Sequence, residues 1–339
     1  MGINVGNKII HLTLVFIFLI SFTSIANAGK ETMLVSWRLT LSPSIYGNVV
    51  TWADTFGNGV FMYNLTTGNI TGIGHAESSS SIQGDKITWW DDGNITVYNI
   101  STGKEMEIVN ASTPAIYGDN VVYVRSKYAD GQPAYYQNDA YNSLYLYNLS
   151  TNEETQLIPY EHAYFDPAIY GNKIVWTQAN QVNSSEWGTN ISVYDIPTKK
   201  VSDVGRSSVA AGGEIYGNIV VWTEYQNGFV WTEYQNGSMD VYMRDIAKHK
   251  TRQVTFNGNS TNPDVYGDRI VWERVYRRGD NLSSDIYMYN ISTNETTRIT
   301  NSTYAREPAI YDDKIVYIDS RNDPEYKEGR DIYLYDLSA

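Results

Sequence analysis

One ten-residue segment recurs seven times along the chain, and this internal repeat constrains the fold more than any other feature of the sequence. Most copies combine a tyrosine, a Gly-Asn or Gly-Asp turn and a β-branched run that ends in an aromatic residue. The copies are PSIYGNVVTW (43–52), SSIQGDKITW (80–89), PAIYGDNVVY (114–123), PAIYGNKIVW (167–176), GEIYGNIVVW (213–222), PDVYGDRIVW (263–272) and PAIYDDKIVY (308–317). A segment that recurs at intervals of several tens of residues is typical of repeat architectures.

Each copy predicts a strand, a tight turn and a second strand. The Gly-Asn or Gly-Asp pair supplies the positive φ that a two-residue hairpin needs, and the β-branched run after it predicts a buried strand. In the seventh copy Asp312 replaces the glycine, and we expect it to adopt the left-handed conformation. The second copy has Ser80 and Gln83 in place of proline and tyrosine, so we expect it to be the least regular.

A second repeated element follows each copy after a loop of variable length. It predicts a third strand that ends in a polar turn. The seven elements are VFMYNLTTG (60–68), ITVYNISTG (95–103), LYLYNLSTN (144–152), ISVYDIPTK (191–199), VYMRDIAKH (241–249), IYMYNISTN (286–294) and IYLYDLSA (332–339). A short fourth strand follows the first six. Four antiparallel strands per unit of roughly 40 to 50 residues predict an all-β fold, a seven-bladed β-propeller.

The fourth strand of the seventh unit is predicted at the other end of the chain. The segment GKETMLV (29–35) matches GKEMEIV (103–109), which follows the third strand of the second unit. Joining DLSA (336–339) to GKETMLV recreates the same turn. We therefore predict that the mature N-terminal strand completes the seventh blade and closes the ring, which removes the open sheet edges.

The first 28 residues differ from the repeats and predict a secretory signal peptide. Lys8 supplies the positive charge, 12–20 the apolar stretch and 26–28 a small-residue cleavage site. Cleavage near Ala28 leaves 29–339 as a single propeller domain with no transmembrane segment, either secreted or at the cell surface. An uncleaved N-terminal anchor is the alternative, although the apolar run is short for a membrane span.

Composition narrows the chemistry and the partners. The chain has no cysteine, which excludes disulfides, thiolate catalysis and cysteine metal sites. A formal net charge of -13 argues against a nucleic-acid partner, because phosphate binding needs clustered Lys and Arg. The 29 tyrosines and 9 tryptophans favour the all-β fold, and we expect most of the tyrosines to pack between blades.

The density of Asn-X-Ser/Thr sequons fits an exported glycoprotein. Candidate glycosylation sites are Asn64, Asn69, Asn94, Asn99, Asn110, Asn148, Asn183, Asn190, Asn236, Asn259, Asn281, Asn290, Asn294 and Asn301.

The unit P-x-I-Y-G-D-x-I-V-W followed by D-I-Y-x-Y-D-L-S-T-G resembles the TolB-like and WD40-like propeller repeats of exported cell-surface proteins of methanogenic archaea. The resemblance covers 29–339. It implies the propeller fold and an archaeal envelope location, but not a chemistry, because propellers serve binding, scaffolding and catalysis alike. TolB has six blades, whereas this chain has seven repeats.

Strand connectivity divides the turns between two faces. The turns between first and second strands and between third and fourth strands share one face, which we call the short-turn face. The second-to-third loops and the links between blades share the other, the variable face, where function is expected. Its long loops are predicted at 124–143, 177–190, 273–285 and 318–331. The candidate ligand-binding aromatic residues are Tyr128, Tyr135, Tyr136, Trp187, Tyr276 and Tyr326. The alternative is that these side chains fold back over the blades.

Catalytic signals are few, and we predict no catalytic residue, metal site or cofactor. Outside the signal peptide the histidines are His75, His162 and His249, in no recognisable catalytic pattern. A carboxylate pair assembled from distant blades stays open. The sequence thus favours a non-enzymatic module that binds a protein or carbohydrate at the cell surface. The alternatives are an extracellular polysaccharide-degrading enzyme and a structural surface-layer subunit.

A nine-residue duplication interrupts the fifth repeat, where VWTEYQNGF (221–229) is followed at once by VWTEYQNGS (230–238). Because the first copy continues directly from the tight turn, we expect Trp222 in the sheet and Trp231 in an enlarged loop. The opposite register stays open, since either copy could pair.

Overall fold

The computed structural model describes residues 29–36, 40–54, 59–76, 78–128, 141–161, 164–183, 186–207, 209–226, 238–279, 281–323 and 330–339. These residues form seven four-stranded antiparallel sheets arranged as the blades of a propeller, which confirms the predicted fold class. The described ranges contain no helix with the length and apolar character needed to cross a membrane. The predicted signal peptide lies outside them.

The blades follow one another along the chain, and each runs from an inner to an outer strand. Blades 1 to 3 comprise β2 (Thr40–Tyr46), β3 (Val49–Asp54), β4 (Gly59–Asn64) and β5 (Ile70–His75); β6 (Ser81–Gln83), β7 (Lys86–Asp91), β8 (Asn94–Asn99) and β9 (Lys104–Ile108); β10 (Ser112–Tyr117), β11 (Asn120–Lys127), β12 (Tyr141–Asn148) and β13 (Glu153–Gln156). Blades 4 and 5 comprise β14 (Tyr164–Tyr170), β15 (Lys173–Asn183), β16 (Glu186–Asp195) and β17 (Lys200–Ser207); β18 (Val209–Tyr216), β19 (Ile219–Gln226), β20 (Ser238–Asp245) and β21 (Lys250–Gln253). Blades 6 and 7 comprise β22 (Ser260–Tyr266), β23 (Arg269–Arg278), β24 (Asn281–Asn290) and β25 (Glu295–Arg298); β26 (Ala305–Tyr311), β27 (Lys314–Asp319), β28 (Asp331–Asp336) and β1 (Lys30–Val35).

The core lies between neighbouring blades. Each second strand buries the aromatic residue that ends the repeat, and these residues are Trp52, Trp89, Tyr123, Trp176, Trp222, Trp272 and Tyr317. In blades 1, 3, 5, 6 and 7 this ring stacks on an aromatic ring of the third strand, as Trp222 does on Tyr242 with centroids 6.0 Å apart. The apolar clusters combine side chains of two blades, so that each blade depends on its neighbours for burial.

The tight turns behave as the repeat predicts. Gly47 and its equivalents have positive φ, and Asp312 in the seventh copy has a φ of 52°, which confirms the expectation for that residue. The second blade is the least regular, as predicted, because its inner strand β6 has three residues. There the Oε1 atom of Gln83 accepts a hydrogen bond of 2.7 Å from the backbone N–H of Gly118 in the next blade.

The N-terminal strand closes the ring, as the sequence predicts. β1 pairs antiparallel with β28, from Lys30 opposite Asp336 to Val35 opposite Ile332, and becomes the outer strand of blade 7. Gly29 lies so close to Tyr335 and to the carbonyl oxygen of Asp336 that a Cβ atom would come within 2.5 Å of both. Glycine is therefore required where the chain enters this strand.

A side-chain lock holds β1 to its blade. The hydroxyl of Tyr317 donates to Glu31, and the Arg321 guanidinium donates to both carboxylate oxygens of Glu31 at 2.7 and 2.8 Å. Arg321 also donates to the buried Asp319 at 2.6 Å. The hydrogen bonds from Arg321 lower the pKa of Glu31, so the ionised carboxylate is stabilised in the closed ring.

Blade 3 contains the same trio of side chains within a continuous stretch of chain. Tyr123 donates to Glu154, and the Arg125 guanidinium lies 2.5 Å from the same carboxylate. Blades 3 and 7 are the two that bury tyrosine instead of tryptophan at this position. The glutamate of the outer strand therefore satisfies a hydroxyl that tryptophan lacks.

The duplicated segment uses its first copy in the sheet. Trp222 lies in β19 with 2% of its surface exposed, which confirms its predicted place. Trp231 lies outside the described residues. The described pairing of this hairpin extends to Gln226 opposite Ser238.

The closure lock predicts a local effect of replacing Glu31. In Glu31→Gln the charge-assisted bonds to Arg321 are lost, which should lower the free energy of unfolding by about 1–2 kcal/mol. Amide hydrogen exchange of Lys30–Val35 should accelerate selectively, because β1 is an outer strand that pairs only with β28 and is not joined to it by a turn.

Glu154→Gln is the matched control, since it breaks the same trio inside an uninterrupted blade. It should lower overall stability by a similar amount and leave the exchange of Lys30–Val35 unchanged. Equal acceleration in both variants, or in neither, would show that Glu31 does not hold the closing strand.

The pairing around the duplication predicts that nine residues can be removed. Deleting 229–237 places Asn227 and Gly228 directly between the paired Gln226 and Ser238, and Asn-Gly is the preferred two-residue hairpin loop. The melting temperature should stay within about two degrees of the wild type or rise, because the shortened loop has less closure entropy to lose. A loss of several kcal/mol would show that the second copy contributes to the packed core.

Candidate functional site

The short-turn face is built from one hydrogen-bonded arrangement in every blade. The first residue after each third strand donates its N–H to the carbonyl of the second residue of the tight turn, at 2.7 to 2.9 Å. The pairs are Leu65 to Asn48, Ile100 to Asp85, Leu149 to Asp119, Ile196 to Asn172, Ile246 to Asn218, Ile291 to Asp268 and Leu337 to Asp313. The two sets of turns lie side by side, and this face repeats around the ring.

An asparagine or aspartate at the end of each third strand caps the turn that follows. The Oδ1 atom of Asn148 accepts the N–H groups of Ser150 and Thr151 at 3.1 and 3.0 Å, and its Nδ2 donates to Asn120 at 2.9 Å. Equivalent caps are formed by Asn64, Asn99, Asn290, Asp195, Asp245 and Asp336. Four sequon asparagines therefore serve as turn caps, a role that aspartate fills in three other blades.

The variable face carries two hairpins that extend beyond the common blade. The loops predicted at 177–190 and 273–285 are wrong as loops, because both segments continue as paired strands. Residues of β15 and β16 pair as far as Asn183 opposite Glu186, and those of β23 and β24 as far as Arg278 opposite Asn281. Gly279, with a φ of 66°, begins the second of these turns, so the ladder extends nearly to its tip.

The structure describes three of the six predicted ligand-binding aromatic residues. Tyr128 follows β11 and is 42% exposed. Trp187 is in β16, paired with Gln181, and Tyr276 is in β23, paired with Ser283. The sequence predicts both residues in loops, and both lie in strands instead. The other three, Tyr135, Tyr136 and Tyr326, lie outside the described residues, and a shared binding surface of all six stays a prediction.

Tyr276 also has a structural role. Its hydroxyl donates to the carboxylate of Asp285, which is fully buried and also accepts from Arg298 at 2.5 Å and Thr300 at 2.8 Å. Burial, together with this hydrogen bond, raises the pKa of Tyr276 to about 12. The phenol is therefore neutral at physiological pH, and its hydrogen bond to Asp285 ties β23 to β24 within the outer half of the hairpin.

Sequence reasoning missed the most exposed aromatic side chain of the described residues. Phe256 is 79% exposed in the link between blades 5 and 6. This link lies against the β23–β24 hairpin, since the carbonyl of Asn259 accepts the N–H of Val275 at 2.9 Å. Leu282 on that hairpin is 47% exposed, and Tyr141 at the start of β12 is 40% exposed. An aromatic residue between two strands, TFNGN at 255–259, was the available signal.

A ring of tyrosines surrounds the propeller axis close to the short-turn face. It consists of the last residue of each inner strand except in blade 2, and neighbouring ring centroids are 4.5 to 4.8 Å apart. The members are Tyr46, Tyr117, Tyr170, Tyr216, Tyr266 and Tyr311, with Gln83 in the seventh position. The repeat tyrosines pack between blades, as expected.

Carboxyl groups lie on the same inner strands. Asp264 accepts the N–H of Ile310 in the next blade at 2.7 Å, and burial raises the pKa of Asp264 to about 6. The side chain of Glu214 has solvent-exposed surface, but its carboxyl group lies among many protein atoms. Its pKa is raised by desolvation and then by the negative charges of Asp264 and Asp166. The inner strands of blades 4 to 6 thus concentrate negative charge near the axis.

Chemical groups for catalysis are sparse in the described part of the chain. The Nδ1 atom of His75 lies 2.7 Å from the carboxylate of Asp91 on the variable face, and His249 occupies a turn of the opposite face. His162 lies outside the described residues. Within the described ranges no group of three His, Asp or Glu side chains is placed to hold a metal ion.

Comparison with known proteins identifies the fold. No family profile and no curated protein matches the chain. Oligogalacturonate lyase from Vibrio parahaemolyticus aligns with a TM-score of 0.65 at 11% identity, covering 92% of this chain and 94% of the lyase. A prolyl endopeptidase aligns with a TM-score of 0.62 at 10% identity, covering 91% of this chain and 49% of the endopeptidase. At such identities the similarity shows the propeller fold alone.

Two further structures align over most of this chain. The propeller domain of the Trilobed protease from Pyrococcus furiosus aligns with a TM-score of 0.53 at 13% identity, covering 83% of this chain and 77% of that domain. TolB from Acinetobacter baumannii aligns with a TM-score of 0.45, which is too low to support an argument. The resemblance to the repeats of archaeal cell-surface proteins therefore stays a prediction.

The raised pKa values predict that a neutral side chain at position 214 stabilises the protein at neutral pH. The folded state holds the Glu214 proton more tightly than the unfolded state, so this group's contribution to stability falls as pH rises above about 4.3. Glu214→Gln should raise the melting temperature at pH 7.5, and the gain should shrink at pH 4.5, where the wild-type carboxyl is protonated.

Asp264→Asn provides the contrast, because Asp264 accepts backbone hydrogen bonds that an amide reproduces only in part. It should not raise the melting temperature at pH 7.5. If Glu214→Gln shifts the melting temperature equally at both pH values, ionisation of Glu214 does not destabilise the folded protein at neutral pH.

Proposed function

We propose that this protein is an exported β-propeller, secreted or held at the cell surface, that binds a glycan or protein partner through its variable face without catalysis. The observation that carries the proposal is the contrast between the two faces. One consists of seven similar hydrogen-bonded turns, whereas the other carries two extended hairpins and exposed aromatic side chains. Variable segments on a rigid scaffold are where binding residues concentrate.

Export rests on the signal-like segment 1–28 and on the sequons. Among the described sequon asparagines, Asn69, Asn110, Asn259, Asn281, Asn294 and Asn301 are exposed and are not turn caps at the ends of third strands. We assign any glycosylation first to these positions. Asn110, Asn259, Asn281 and Asn301 are on the variable face, so sugar at these positions would lie beside the binding surface, and Asn281 is directly opposite Arg278 in the β23–β24 ladder.

A polysaccharide lyase is the second candidate. The observation that favours it is coverage: the propeller of this chain corresponds to 94% of the oligogalacturonate lyase, whereas the peptidases carry large additional parts. A structural surface-layer subunit, the third possibility raised by the sequence, has no comparable support.

Removal of exposed aromatic residues tests the proposed face. Tyr128→Ala/Phe256→Ala should weaken a partner found by glycan-array and pull-down screening of 29–339 at least tenfold, because aromatic anchors dominate such interfaces. The melting temperature should not change, since both side chains are largely solvent-exposed.

The control removes two exposed apolar side chains from outer strands near the short-turn face. Ile70→Ala/Val201→Ala should leave binding intact, although these side chains are similarly exposed at 44% and 49%. Binding that is lost only in the control would place the ligand on the other face. Cleavage of a bound polysaccharide by the wild type would assign the protein to the polysaccharide-degrading enzymes, and an unsaturated product end would identify it as a lyase.

A further inference from the structure

The β23–β24 hairpin carries a group of arginines on a protein whose formal net charge is -13. Arg274, Arg277 and Arg278 lie in its outer half, where the ladder continues to Arg278 opposite Asn281. The other extended hairpin, β15–β16, contains no Lys or Arg beyond Lys173 at its base. Positive charge is therefore concentrated on one projecting element of the variable face.

These arginines have no anionic partner within the described part of the chain, whereas other arginines of the same face do. Carboxylates pair with Arg125 and Arg298, each at 2.5 Å, and with Arg321 at 2.6 Å. The acids of β23 and β24, Glu273 and Asp285, are buried and accept hydrogen bonds from other residues. In the sequence, Asp280 is the single acid of 274–282, which contains three arginines.

The two acids in the middle of the hairpin, Glu273 and Asp285, are held by other groups. Glu273 accepts hydrogen bonds from Asn262 and from the backbone of Glu307, and it is 9% exposed. Asp285 is fully buried and binds Tyr276 and Arg298. Arg277 and Arg278 are exposed, so their guanidinium groups face solvent with their donors available.

Strand alternation places Arg274, Tyr276 and Arg278 on one side of β23, about 13 Å from the first to the last. The Arg274 guanidinium lies 5.4 Å over the Tyr287 ring, and the Tyr276 hydroxyl is fixed by Asp285. Guanidinium groups and tyrosine rings therefore alternate along this side of the hairpin, and the position of Tyr276 is fixed by its hydrogen bond to Asp285. Guanidinium forks match carboxylates, and aromatic faces stack on the apolar faces of sugar rings.

We propose that the arginine hairpin (Arg274, Tyr276 and Arg278 on one side of β23, with Arg277 on the other side next to Arg278) binds a linear acidic glycan, with guanidinium groups on its carboxylates and tyrosine against its rings. The assignment rests on the proposed function, since it names the ligand class and the hairpin of the variable face. A glycan fits better than an acidic peptide because each sugar unit presents both a ring and a carboxylate in an extended chain. On a protein with a formal net charge of -13, the hairpin brings three arginines without a described anionic partner onto one projecting element of the variable face, where a polyanion can contact them.

The test measures binding of the 29–339 protein to polygalacturonate by isothermal titration calorimetry at low and physiological salt. The fully methyl-esterified polymer has the same backbone without charge, and poly-glutamate represents acidic protein. Binding to polygalacturonate should weaken with salt, and both comparison polymers should bind at least tenfold more weakly. Arg277→Gln/Arg278→Gln should weaken polygalacturonate binding about three- to tenfold, the effect of two exposed ionic contacts.

Lys104→Gln/Lys250→Gln is the matched control, because it removes the same charge from exposed positions beside the short-turn face. It should bind polygalacturonate as the wild type does. Equal losses in the two double variants would show a general charge effect, and equal binding of the esterified polymer or of poly-glutamate would exclude an acidic-glycan site. Any of these results, or no binding by the wild type, overturns the proposal. A partner that depends on Tyr128 and Phe256 would leave the variable-face proposal standing in that event.

Discussion

The whole architecture depends on one strand pairing, that of β1 with β28. Six blades are built from consecutive segments, and the seventh takes its outer strand from the opposite end of the described chain. This strand also enters the core, because Val35 packs with Trp52 of blade 1 and Val316 and Ile332 of blade 7. Pairing and packing at this seam are therefore coupled, and the lock formed by Glu31 and Arg321 acts where covalent continuity is missing.

The sequence predicts this fold in unusual detail because the repeat reports each element several times. The blade number, the tight turns, the left-handed Asp312 and the closing strand all follow from comparing copies. The extended hairpins do not, because 177–190 and 273–285 match no other copy and so look like loops. Their ladders depend on cross-strand pairing and on a turn at Gly279, both of which lie outside the repeat.

The candidate site is less predictable because its parts come from different blades. Glu214 and Asp264 are fifty residues apart in sequence and meet near the axis only once the inner strands form the ring. Tyr276 looks like a free anchor in the sequence, yet its hydroxyl is held by the buried Asp285. The sequons offer the opposite lesson. Asn64, Asn99, Asn148 and Asn290 each cap a turn that has serine or threonine two residues later, so the sequence that forms the turn is also a sequon. Turn geometry therefore accounts for these four sequons.

The closing strand also sets the order of events during folding. Synthesis makes β1 first among the described strands and its partner β28 last, and the hydrogen bond from Tyr317 to Glu31 spans 286 residues. Closing such a long loop costs several kcal/mol of chain entropy before any contact compensates for it, and contacts of this range slow folding. Blades 1 to 6 can form their ladders from local hairpins as they are made. We therefore expect the seam to form last, and until it forms β28 has an unpaired edge that a neighbouring strand could contact.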